Sequence, residues 1–255
     1  MINQKEIKRI KKTFHNRGYV VLKNFMPEKL INEIKNDVQK LLKMKKIKNK
    51  LENIHYLKTK QLSSVHNIAN YMSYHKKFLN GTRIQKVFHG IFGPSEKKWF
   101  NSSYFLKPRK VGISTKAHQD NAFFNLNPCE AFTCWVPTDS VTKQNSSLYY
   151  YLGSNKGGLL PHEPQGNPGA SLCIPQKYIN RVKKKYKKHY VQVKKGDCII
   201  HNPLVVHGSE RNRSSIDRGA FNFSIKSKKA KKDVVGWNDY RKKLSTYLEI
   251  RKRKK

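Results

Sequence analysis

Two histidines and one aspartate are the residues of this 255-residue chain whose types and spacing point most directly to chemistry. They are His118 and Asp120, separated by Gln119, and His207, 87 positions beyond the aspartate. Two imidazoles and a carboxylate are the protein donors of a facial triad, which holds Fe(II) on one face of an octahedron and leaves the opposite face open to O2 chemistry. Because His118 and Asp120 are two apart, a single extended strand would send both side chains to one face and Gln119 to the other. His207 would then close the site from a distant strand, with the metal between two facing sheets. A lone His-x-Asp is weak evidence in a chain with ten histidines. Its context strengthens it: His207 stands in Val205-Val206-His207-Gly208-Ser209, after the Gly196-Asp197 turn, and Arg218 follows eleven residues on at the start of another strand. A buried arginine there is costly unless an anion compensates it, and a dicarboxylate cosubstrate would supply that anion.

These residues must be placed by the elements around them. Residues 5–16 read as a short basic helix ending near Gly18, followed by the β-prone run Tyr19-Val20-Val21-Leu22. Leu30, Ile31, Ile34, Val38, Leu41 and Leu42 recur at intervals of three and four and predict a helix over 27–44 with one buried face. Residues 45–62 read as a lysine-rich loop or weak helix, and a further helix is expected from Lys76 to Phe92, stopped by Gly93-Pro94. From Trp99 onward the texture changes to short β-prone runs: 102–106, 132–136, 148–152, 190–193, 198–201 and 220–225. Gly, Pro, Asn and Asp punctuate them, which favours a sandwich or barrel. The basic stretch 157–188 is expected to be a surface excursion, and the terminal run Arg251-Lys252-Arg253-Lys254-Lys255 a solvated, frayed end.

Composition bounds the rest. The length suits one domain, expected over 1–245, with an N-terminal strand-and-helix region (1–95) and a β core (98–228) before the basic tail 246–255. No run approaches the roughly 18 apolar residues of a membrane span. The N-terminus lacks the apolar core of a signal peptide, so the expected location is cytoplasmic. Cys129, Cys134, Cys173 and Cys198 have neither CxxC spacing nor scaffold density and read as reduced, structural thiols, with Cys198 facing the core; Cys129 and Cys134, five apart, leave a thiolate zinc site as the minor alternative. A net charge of +38 attracts any polyanion, nucleic acid included. Yet only 11 of 54 basic residues are arginine, the residue suited to bidentate phosphate and base contacts, so nucleic-acid recognition is not favoured.

Residues 98–226 resemble the phytanoyl-CoA dioxygenase family of Fe(II)- and 2-oxoglutarate-dependent oxygenases. The resemblance rests on His118-Gln119-Asp120, Trp135, Gly196-Asp197, His207-Gly208-Ser209 and Arg218 in this order, with Asn212 and Ser214 between histidine and arginine. Gly18-Tyr19-Val20-Val21-Leu22-Lys23-Asn24-Phe25, followed by a helix, is similar to the family's opening. The resemblance implies a mainly β fold with flanking helices around a double-stranded β-helix, a jelly-roll, cupin-like core. It implies iron ligation by His118, Asp120 and His207, with Arg218 and Ser209 on the distal carboxylate of the 2-oxoglutarate cosubstrate and O2 as oxidant. Trp135 would line the cosubstrate pocket, although a strand tryptophan serves equally as core. Arg211 and Arg213, in a loop, read as solvated charges.

Two features qualify the resemblance. Where the family has an Asn-Gly turn and a Pro-Gly-Ser-His segment, this chain has Asn145-Ser146 and Leu152-Gly153-Ser154-Asn155, which alters a residue near the substrate mouth without touching the metal ligands. Halogenating members lack the carboxylate ligand, so Asp120 speaks for hydroxylation. Mouth candidates are Tyr149, Tyr150, Tyr151, Phe123, Phe124 and His162; the pleat must send Tyr150 opposite to its neighbours, and His162 reads first as an ordinary surface-loop residue. The expected function is hydroxylation of a small organic substrate, with the basic surface favouring an anionic one. The rival expectation is a non-catalytic jelly-roll module that binds polyanions through its lysines.

Overall fold

The computed structural model describes residues 2–43, 54–68, 78, 81–167 and 170–253. Two antiparallel sheets face each other as a double-stranded β-helix. The larger sheet runs β1 (Tyr19–Leu22), β12 (Cys198–His201), β7 (Ala131–Pro137), β14 (Arg218–Ser227), β4 (Lys97–Lys107), β3 (Leu62–His66), β2 (Ile54–Tyr56). The smaller runs β11 (Lys188–Val191), β8 (Leu148–Tyr151), β13 (His207–Ser209), β5 (Thr115–His118).

Period-two alternation divides each strand between two environments. Along β14, Phe221, Phe223 and Ile225 turn outward into a core shared with helices, whereas Ala220 joins Trp135, Tyr150 and Ile199 between the sheets. Three helices cover the outer face: α1 (Gln4–Arg17), α2 (Glu28–Lys43) and α3 (Thr82–Phe92). Helix α1 starts where Asn3 Oδ1 accepts the Glu6 N–H at 2.9 Å. It ends at Gly18, whose left-handed φ of 83° lets its N–H reach the Phe14 carbonyl. Helix α2 buries Ile31, Ile34, Val38 and Leu41 on its inner stripe, each such side chain contributing roughly 1.5–3 kcal/mol. Cys134 and Cys198 lie in the same core, and all four cysteines are free.

Four expectations about local structure change. Of residues 45–62, those before 54 lie outside the described residues, but Ile54–Tyr56 and Leu62–His66 pair as a hairpin that extends the larger sheet through β4. Helix α3 begins at Thr82 rather than near Lys76, with Gly81 as its N-cap; residues 76, 77, 79 and 80 lie outside the described residues. The stretch 157–188 is not a surface excursion. It forms the hairpin β9 (Glu163–Asn167) and β10 (Ala170–Cys173), then α5 (Gln176–Lys185), whose Ile179 and Val182 pack with Ile174 on Val206 and on Tyr149 and Tyr151 of the smaller sheet. Residues 251–253 of the expected frayed end continue a helix instead, α6 (Val234–Arg253), in which Tyr247 is buried and its hydroxyl donates to the Asn167 carbonyl at 3.3 Å; residues 254 and 255 lie outside the described residues. Lysine-rich composition hid both segments because their few apolar residues carry all the packing. No described helix is long and apolar enough to cross a membrane.

Candidate metal centre

His118 is the last residue of β5 and His207 the first of β13, and the two strands pair so that these residues stand opposite each other. Their ring centroids are 4.3 Å apart. The two histidines therefore come from neighbouring strands of one sheet, not from facing sheets. Asp120 is not on the strand with His118. Its backbone is helical, φ −59° and ψ −31°, and it caps the single turn α4 (Asn121–Phe124), so the chain bends at Gln119. The bend is held by Asn121 N–H to Pro203 O at 2.9 Å and Phe123 N–H to Asp120 O at 2.9 Å. Despite the bend, Asp120 Oδ1 lies 3.6 Å from His118 Nε2 and 3.6 Å from His207 Nε2.

The orientation of every donor is set by a second hydrogen bond. His118 Nδ1 meets the Lys116 carbonyl at 2.9 Å and His207 Nδ1 meets the Val205 carbonyl at 3.0 Å. A carbonyl only accepts, so each Nδ1 carries the proton and each Nε2 presents its lone pair to the common point. Asp120 Oδ2 accepts from Thr133 Oγ1 at 2.7 Å and from His201 Nε2 at 3.0 Å, which leaves Oδ1 facing the imidazoles. Burial pushes both imidazoles below the usual histidine range. Burial alone would raise the Asp120 carboxyl, but the His201 hydrogen bond and the surrounding imidazoles hold it below the usual carboxylate range. Three acceptors thus converge, all within 4.8 Å of one another, with no proton among them. Such a cluster calls for a cation, and its two nitrogens and one oxygen are the donor set that suits non-haem Fe(II).

Gln119, at the bend and beyond the end of β5, turns its side chain away from this cluster and braces it. Its side chain donates to the Gly158 and Leu204 carbonyls at 2.8 and 2.6 Å and accepts from Leu160 N–H at 2.8 Å. His162, read from sequence as a mouth or surface-loop residue, is buried: Nε2 accepts the Gln119 N–H at 3.0 Å and Nδ1 donates to the Leu160 carbonyl at 2.8 Å. Burial lowers its pKa to about 4.

A second polar locus lies where β14 begins. Arg218 is 2 % exposed, its guanidinium stacks 5.4 Å from the Trp135 ring, and its Nε has no hydrogen-bond partner among the described residues. Burial lowers its pKa to about 10. Directly opposite in the β14–β4 register is Lys107, also buried, whose Nζ donates to Ser209 Oγ at 2.7 Å and Glu210 O at 2.8 Å. Burial and the neighbouring guanidinium lower the Lys107 pKa well below the lysine range. Among the described residues no carboxylate lies within ion-pair distance of either group. Two buried basic groups, one of them bonded to the Ser209 hydroxyl, form a site that the described residues leave without an anion.

The pleat separates the tyrosine triplet as expected. Tyr150 packs between the sheets, whereas Tyr149 and Tyr151 join the outer cluster with α5. Phe123 stands edge-on to His118 at 5.8 Å and touches Tyr240 of α6 at 6.1 Å, while Phe124 packs on Phe100. Arg211 and Arg213 are exposed, and the buried Asn212 ties their loop to the Lys107 carbonyl at 2.8 Å. Sequence reasoning missed His201, Thr133 and Lys107. The only signal for His201 was its position at the end of an apolar strand six residues before His207.

The family model for phytanoyl-CoA dioxygenase (PhyH) matches residues 14–220. Human peroxisomal phytanoyl-CoA dioxygenase is 24% identical over 231 residues, covering 85% of this chain and 67% of that one. A phytanoyl-CoA dioxygenase domain-containing protein 1 homolog of Caenorhabditis briggsae is 29% identical over 161 residues, 60% of this chain and 54% of that protein. The chain therefore spans between about half and two thirds of the length of these curated relatives. Among solved structures, the non-haem alpha-ketoglutarate-dependent carbocyclase SnoK superposes with a TM-score of 0.72 at 16% identity, covering 88% of this chain and 85% of SnoK. EctD from S. alaskensis, solved with 2-oxoglutarate and 5-hydroxyectoine, gives 0.70 at 16% identity, covering 86% and 75%.

Proposed function

The chain belongs to the phytanoyl-CoA dioxygenase family, and on that premise we propose that it is an Fe(II)- and 2-oxoglutarate-dependent dioxygenase that hydroxylates a small organic substrate. The observation that carries this reading is the pairing of two loci in one barrel: the proton-free His118, Asp120, His207 cluster, and the uncompensated Lys107, Arg218 pair. One suits a divalent cation and the other a carboxylate.

In this reading His118 Nε2, His207 Nε2 and Asp120 Oδ1 hold Fe(II). Bound there, the ion would supply activation of O2, coupling conversion of 2-oxoglutarate to succinate and CO2 with oxidation of a substrate C–H bond. Thr133 and His201 keep the carboxylate turned so that one oxygen faces the ion. Arg218 receives the far carboxylate of 2-oxoglutarate, for which its planar fork is suited. Ser209 adds a donor: its oxygen already accepts from Lys107, so its proton is directed elsewhere. Lys107 Nζ donates to Ser209 and Glu210, and a bound anion would favour its protonated form, which has a further proton for that anion. Trp135 provides the flat wall under the guanidinium. Tyr150 and Val205 fill the space behind the histidines and exclude water from that side.

Phe123, beside His118, stands at the substrate's approach. The net charge of +38 favours an anionic substrate by raising its local concentration. Four free cysteines suit a reducing compartment, and the cytoplasm is the location assigned here. The test is succinate release on addition of candidate substrates. Asp120→Ala abolishes the substrate-dependent part; undiminished turnover in that variant would reject the reading.

A further inference from the structure

Three aromatic side chains lead away from the metal centre on its open side. The His118 side chain is 14 % exposed, against 10 % for Asp120 and 6 % for His207, so the centre meets solvent beside His118. Phe123 stands there, its ring 5.8 Å from the imidazole. Tyr240 follows edge-on at 6.1 Å, and Trp237 lies 5.3 Å beyond it, tilted by 32°. Tyr240 and Trp237 are one turn apart on α6, an element outside the residues that the family model matches. All three rings are half-buried, and none belongs to the four apolar clusters of the core. The Tyr240 hydroxyl bonds to Ser171, which ties the row to β10. Core packing therefore gives no account of three rings in line.

The row ends in lysines. Lys232 Nζ sits 3.6 Å from the centre of the Trp237 ring. Lys226 of β14 holds its ammonium 5.8 Å from the Phe100 ring, which packs on Phe124, next to Phe123 in the chain. Partial burial and the charges of Lys231, Lys232 and Lys98 lower the Lys226 pKa below the lysine range. Lys98 reaches Glu96 at 4.0 Å, whereas among the described residues no carboxylate lies within ion-pair distance of the other three.

We infer that Phe123, Tyr240 and Trp237 are the specificity-determining wall of the substrate site, and that the substrate is an aryl anion. Its flat aromatic body lies along the row, with its reacting end at the metal and its anionic group on Lys226, Lys231 and Lys232. The inference rests on the oxygenase reading above and deepens it. A ring carries a negative face and a positive edge, so a row of rings receives another ring through offset and edge contacts that a saturated chain cannot make. Crowded lysines with no carboxylate partner gain from a negative group, which offsets their mutual repulsion and donates no proton of its own. Lys232 already lies over the indole, so an anion bonded to that ammonium comes to rest at the outer end of the row.

The full chain, loaded with Fe(II) and 2-oxoglutarate without oxygen, is titrated in a calorimeter with 2-naphthyl phosphate and with n-octyl phosphate. The two probes carry the same anionic group, one on a flat ring system and the other on a flexible chain. The expected result is that 2-naphthyl phosphate binds at least several-fold more tightly. Tyr240→Leu and Trp237→Leu each lose about three- to tenfold in affinity for the naphthyl probe and leave the octyl probe nearly unchanged. Lys232→Gln, at an exposed position, weakens both probes equally, and it decides the matter if the ring variants do not fold. With Mn(II) in place of Fe(II), the ring protons of bound 2-naphthyl phosphate farthest from the phosphate relax faster than those beside it, because relaxation falls steeply with distance from the ion. No binding of either probe, equal or tighter binding of n-octyl phosphate, affinities unmoved by the variants, or faster relaxation beside the phosphate overturns the aryl-anion site while the oxygenase reading stands. Failure to take up Fe(II) and 2-oxoglutarate in the same calorimeter overturns that reading and the site with it.

Discussion

At the scale of single residues, the centre is built from atoms whose protons are already assigned by partners behind them. His201 has no place in the donor set, but it fixes which Asp120 oxygen faces the imidazoles. His201→Asn is therefore expected to weaken Fe(II) binding about 10–100-fold, the usual effect of losing an outer partner, measured by equilibrium dialysis. Arg218→Ala removes a buried charge from an anion site; truncations of that kind cost about 2–5 kcal/mol, so 2-oxoglutarate affinity should fall at least about 30-fold while Fe(II) affinity holds. His162 carries a pH signature. Its folded pKa is depressed to about 4 by burial, against about 6.5 unfolded. The unfolded chain thus binds the extra proton first. Its stabilising share is complete above about pH 6.5 and is lost as the pH falls towards 4, on the order of 3 kcal/mol. His162→Gln should flatten that part of the denaturation profile; an unchanged slope would contradict it. The metal ligands and Arg218 were legible from residue type and order. Lys107, His201 and Thr133 were not, because each acts through a partner brought near only by strand register.

At the scale of elements, alternation does most of the positioning. β14 sends Arg218, Ala220 and Ser224 inward and Phe221, Phe223 and Ile225 outward, so one strand lines the anion site and anchors the helix layer. Phe221→Ala should cost about 3–5 kcal/mol of stability by urea denaturation, while the folded fraction keeps its Fe(II) affinity. A large loss of affinity per folded molecule would show that the two faces are not separable. The six expected strands and the two amphipathic helices were legible because their periodicity is strong. The bend at Gln119 was not: His-Gln-Asp fits an extended pattern, and only hydrogen bonds to Pro203 and within α4 reverse it. The hairpin β2–β3, the β9–β10–α5 segment and α6 were obscured by lysine, whose charge dominates composition while a few apolar side chains decide the packing.

At the scale of the whole molecule, the excess of positive charge surrounds an interior where charge is scarce: buried Asp120 serves the centre, buried Lys107 and Arg218 the anion site, and buried Asp197 pairs with Lys23. Surface attraction is screened by salt within about 10 Å at 0.1 M, whereas a buried guanidinium is screened much less. Raising ionic strength should therefore slow capture of an anionic substrate more than it weakens 2-oxoglutarate binding, as read from kcat/KM for each. The most direct measurement is an anaerobic titration of the protein with Fe(II) and 2-oxoglutarate, following the visible charge-transfer band of the chelate. One equivalent of each should saturate the band in the wild type, and Asp120→Ala should abolish it. Absence of the band at stoichiometric iron, or its persistence in Asp120→Ala, would contradict a metal centre at His118, Asp120 and His207.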